Sequence, residues 1–67
     1  MNPTESKNQF QAELSSLSTA IEEITVRITK IAESLAKQKL DGYARDLYHA
    51  ERSLNSALRS IVKVMQA

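Results

Sequence analysis

Six residues in the second half of the chain share a spacing suited to binding anions. Arg45, His49, Arg52, Ser56, Arg59 and Lys63 recur at gaps of 4, 3, 4, 3 and 4, and on a helix such gaps gather side chains on one face. Asp46 and Glu51 fall to the sides, so no acid interrupts the line. Arginine presents a rigid fork of donors that matches phosphate and carboxylate oxygens. Three arginines spaced about 10 Å apart along one helix would follow a phosphate backbone or an acidic partner helix. The same pattern also arises where a helix turns its charged side to water. No aromatic residue is interleaved for base stacking, which disfavours single-stranded nucleic acid. Arg45, His49, Arg52, Arg59 and Lys63 are thus candidate partner-binding residues, with nucleic acid an open but disfavoured ligand.

Two other groupings invite chemistry and do not sustain it. Asp46 and His49 are i,i+3 neighbours, a spacing that can share a metal or a proton. The chain has one His and no Cys, too few ligands for a closed metal site. No Ser is set on a special turn as a nucleophile, and no set of convergent polar groups is evident. We therefore expect no catalytic residue, no metal and no cofactor, and a protein that is not an enzyme. Tyr43 and Tyr48 follow the only internal glycine as possible anchors; the position of Tyr43 predicts packing in a seam, and Tyr48 is more open.

The elements that position these residues are read from periodicity. Phe10, Leu14, Leu17, Ile21, Ile24, Ile28, Ile31 and Leu35 fall at alternating gaps of 4 and 3, the repeat of a coiled-coil seam. A second run holds Leu40, Tyr43, Leu47, Ala50, Leu54, Ala57, Ile61 and Val64 at gaps of 3 and 4. Asn2 can cap, Pro3 suits a first helical position and Glu5 lies three residues after the cap. The spacing predicts helix 1 over about residues 3–38, a turn over about 39–42 and helix 2 over about 42–66. Lys37 and Lys39 suit a helix C-terminus. Asp41 suits the next N-cap, and Gly42 would relax the reversal. The result is a single all-α domain over residues 1–67, an antiparallel helical hairpin.

Folding helix 2 back places position i opposite about 82 − i. Leu35 then meets Leu47, Ile28 meets Leu54 and Ile21 meets Ile61. Between them Ile31 faces Ala50, Ile24 faces Ala57 and Leu17 faces Val64, an alternation that favours close approach. Phe10 projects beyond helix 2.

Helix 2 also carries Tyr48, Leu58, Val62 and Met65 beside its seam, and helix 1 offers the small residues Ser18, Thr25 and Ala32 on the matching flank. An apolar arc this wide implies a bundle of more than two helices. A chain of 67 residues buries little by itself and has no disulfide to staple it. Self-association through Phe10, Tyr48, Leu58, Val62 and Met65 is the expected remedy, a homodimer forming a four-helix bundle. A formal net charge of +1 argues against a histone-like nucleic-acid binder, and no apolar run is long enough for a membrane span. The expectation is a small cytoplasmic interaction or regulatory protein, with a protein partner open. The alternatives are a nucleic-acid-binding hairpin dimer using the basic face, or an oligomeric scaffold component.

Overall fold

The computed structural model describes the backbone of residues 3–67 and the side chains from Gln9 onward. Helix α1 spans Pro3–Lys37 and helix α2 spans Asp41–Gln66. No glycine or second proline interrupts either the 35-residue α1 or the later turns of the 26-residue α2. Leu, Ala, Glu, Lys, Gln and Arg, all good helix formers, recur through both, interspersed with Ile, Ser and Thr. Pro3 does open α1, as its fixed φ and missing N–H allow. The proposed contributions of Asn2 and of the Glu5 side chain lie outside the described residues. The two helices pack against each other as a hairpin measuring 55 × 15 × 13 Å.

The reversal is built differently from the expectation. Leu40 donates its N–H to the Leu35 carbonyl at 2.9 Å, and Lys39 donates to Ala36 at 3.0 Å. This nested pair is a Schellman termination, in which the residue after the helix adopts a left-handed conformation. That residue is Lys39, at φ 61°, a position glycine fills at no steric cost. Gly42 has no positive φ and sits inside the first turn of α2. Asp41 is likewise the first helical residue, not the cap. Leu40 takes the cap position without a side-chain bond, so Asp41 acts through its charge at the positive end of the helix.

A Cβ added at Gly42 meets nothing within 4 Å. Gly42→Ala should therefore stabilise the fold by about 0.5–1 kcal/mol, the propensity difference in a helix. Lys39→Gly should also stabilise, by relieving the left-handed conformation. Thermal melts check both. A loss of stability in Gly42→Ala would return the hinge to that glycine.

Among the described residues, three hydrogen bonds cross between the helices. Gln11 Nε2 donates to the Met65 carbonyl at 3.3 Å, Ser18 Oγ to Met65 Sδ at 3.6 Å, and Thr29 Oγ1 to a Glu51 carboxylate oxygen. These pairs have position numbers adding to 76, 83 and 80, so residue i lies near 80 − i. The expected register is thus within about half a helical turn of the observed one. Because Met65 reaches Gln11, α2 extends further along α1 than periodicity alone suggested. Gln11 also supplies a donor to one of the last carbonyls of α2, which has no partner within the helix.

The layers separate into two kinds. Leu14, Ile21, Ile28 and Leu35 on α1, with Leu47, Leu54 and Ile61 on α2, turn toward the partner helix and are half-buried. The intervening layers do not close. Leu17, Ile24 and Ile31 keep 47, 45 and 55 % of their surface exposed, Val64 keeps 51 % and Tyr43 keeps 65 %. Tyr43 is therefore not core. The deepest positions are instead small: Ala32, Ala44 and Ser18. Each helix carries an apolar arc wider than one partner can cover. The helices meet where α1 is smallest, at Ser18, Thr25 and Ala32, and this leaves Tyr48, Leu58, Val62 and Met65 half-buried along the helix junction. Close approach on the small-residue side opens the opposite side.

Candidate interaction surfaces

The opened side is one continuous apolar face. On α1 it carries Phe10, Leu17, Ile24 and Ile31 at strict seven-residue intervals, all exposed. On α2 it carries Tyr43, Ala50, Ala57 and Val64 at the same interval. In an antiparallel pair these two stripes run along the same side of the hairpin, edge to edge. Glu13, Ala20, Arg27 and Ser34, each three residues after a member of the α1 stripe, border it on its outer side, and all four are exposed. Ile24, Arg27, Ile28 and Ile31 line a shallow groove there, which sets the Arg27 side chain beside the isoleucines. Among the described residues no large side chain is fully buried.

The second surface is the basic face of α2. Arg45, His49, Arg52, Ser56, Arg59 and Lys63 are all exposed, on the side away from α1. Arg59 Nη2 donates to Ser56 Oγ at 3.0 Å, which lays that guanidinium along the helix and not across it. Glu51 does not face this surface, since its carboxylate is held at the helix junction by Thr29. Glu51 is thus withdrawn from the positive line, and Asp46 stays exposed at its edge beside Arg45 and His49.

Of the residues expected to mediate self-association, Phe10 lies open on the apolar face. Tyr48, Leu58, Val62 and Met65 sit half-buried at the helix junction, with Met65 bonded to both Gln11 and Ser18. The apolar surface left free is instead the outer half of the seam. Periodicity alone places Leu17, Ile24 and Ile31 inside, because a heptad repeat specifies a stripe but not which side of it the first partner covers. The signal that could have found them is Ser18, Thr25 and Ala32, since small residues mark the closest approach.

Asp46 and His49 are both exposed. Among the described residues no group of three or more His, Cys, Asp or Glu gathers as metal ligands would, and no helix is long and apolar enough to cross a membrane. Compared with protein-family models, with curated proteins and with solved structures, the chain shows no significant match.

Proposed function

We propose that the chain is a small, non-enzymatic cytoplasmic interaction protein that works as a self-associating hairpin, two copies closing into a four-helix bundle. The observation that carries this reading is the apolar face. Phe10, Leu17, Ile24 and Ile31, with Val64 beside them, form a stripe about 32 Å long that the hairpin leaves in water. Exposed apolar surface of that extent marks an interaction site. A second copy presents the same stripe and needs no further component.

The test is dilution. If folding is coupled to dimerisation, the helical melting temperature rises with protein concentration by mass action. A melting curve unchanged over a hundredfold dilution, together with a monomer mass by sedimentation, would sink the proposal.

The basic face of α2 supports a second reading, in which the dimer binds nucleic acid or another polyanion. Binding through such a face weakens steeply with added salt, whereas docking of an apolar partner does not. A scaffold role would show itself as assemblies larger than a dimer in light scattering.

A further inference from the structure

We propose that the second copy docks antiparallel on α1, with a two-fold axis passing beside Ala20. This rests on the self-association reading and adds the arrangement. The α1 stripe reads alike from both ends: Phe10, Leu17, Ile24 and Ile31 are spaced evenly about a midpoint between residues 20 and 21. The charged border has nearly the same midpoint. Glu13 and Arg27 lie seven residues to either side of Ala20 on one line of the helix, and all three are exposed.

A two-fold axis at that midpoint sets Phe10 against the partner's Ile31 and Leu17 against the partner's Ile24. The same operation brings Glu13 to the partner's Arg27, and Arg27 to the partner's Glu13. Apolar pairing and charge pairing thus select one register. Ala20, at the axis, allows close approach. On α2 the operation sets Val64 near the partner's Ala57, large against small.

The competing arrangement runs the two hairpins parallel, with α1 lying over the partner's α2. The hairpin's own register places Arg27 level with Ser53, so in that arrangement it faces no acid of the partner and gains no charge pair across the interface. Area does not separate the two. A face about 32 Å long and two helices wide is about 650 Å² per protomer, close to the roughly 800 Å² per partner of a stable interface. Charge complementarity does. It also places the two α2 helices side by side, with both basic faces on one flank of the dimer.

The chain has no cysteine, so single cysteines report the arrangement. In the full chain, Ala20→Cys should be joined into covalent dimers by a short bismaleimide, because the two copies of residue 20 flank the axis. Lys39→Cys should not, since the turns of the two copies lie at opposite ends of a 55 Å molecule. Glu13→Arg and Arg27→Glu should each raise the dimer dissociation constant about fivefold to tenfold, and the two together should restore it. Cross-linking at residue 39 and not at 20, or a double variant no tighter than the single ones, would overturn this arrangement while a dimeric mass keeps the self-association reading. A monomeric mass for the unaltered chain would overturn both.

Discussion

Ile28→Ala and Leu54→Ala should each lower stability by about 2 kcal/mol, the low end for truncating a packed aliphatic side chain. The low end applies because both residues are half-buried. Total stability for a chain of this length is on the order of 3–10 kcal/mol, so either change removes a large share of it. The melting temperature should fall by about 10 °C in each variant. By the register near 80 − i the two residues lie within about half a helical turn of each other on the facing sides of the helices. Their effects should therefore couple in a double-mutant cycle by about 0.5 kcal/mol or more. Strict additivity would show that they do not touch and that the register is wrong.

Replacing Ile24 and Ile31 together by Gln is expected to act on assembly alone. Both side chains are about half exposed in the single hairpin, where surface changes usually cost under about 0.5 kcal/mol. In a dimer four such side chains lose burial worth about 1 kcal/mol each, since only about half of each is left to cover, which weakens association by about three orders of magnitude. The concentration dependence of melting should disappear. The complementary variant replaces Arg45, Arg52 and Arg59 by Gln, taking the formal net charge from +1 to −2. It should keep both fold and assembly, because Arg and Gln have similar helix propensity. Retention on an immobilised polyanion such as heparin should be lost if the basic face is a docking surface. Equal retention would reduce that face to a solvated exterior.

The two-helix hairpin was legible from residues alone because the evidence is redundant. Sixteen seam positions agree on one period, and a single break in that pattern leaves few topologies. The basic face of α2 was legible for the same reason, since charge opposite an apolar stripe has only one side to occupy. The rotation of the helices was not legible. A heptad repeat constrains each helix to a stripe, and a rotation of some fifty degrees about the helix axis exchanges Ile24 for Thr25 at the junction without breaking the pattern. Packing decided between them. Ala32 and Ser18 permit an approach that Ile31 and Leu17 would obstruct, and the small side won. The turn was misread for a different reason. Gly42 is the usual bearer of a left-handed conformation, but the Schellman bonds fixed that conformation at Lys39, where the hydrogen bonding of the helix end overrides side-chain preference.

The register near 80 − i has a consequence for how the hairpin opens. Partners near the turn are close along the chain and partners at the far end are not: Thr29 and Glu51 are 22 residues apart, Gln11 and Met65 are 54 apart. Closing the longer loop without the shorter one costs about 0.8 kcal/mol more in chain entropy. The far end also holds Gln11 Oε1, a buried acceptor with no donor among the described residues, which penalises closure there further. The molecule is therefore a graded zipper. It should form from Lys39 outward and unzip from the Gln11–Met65 end, with amide exchange slowest in the layers flanking Leu35 and Leu47 and fastest beside Leu14.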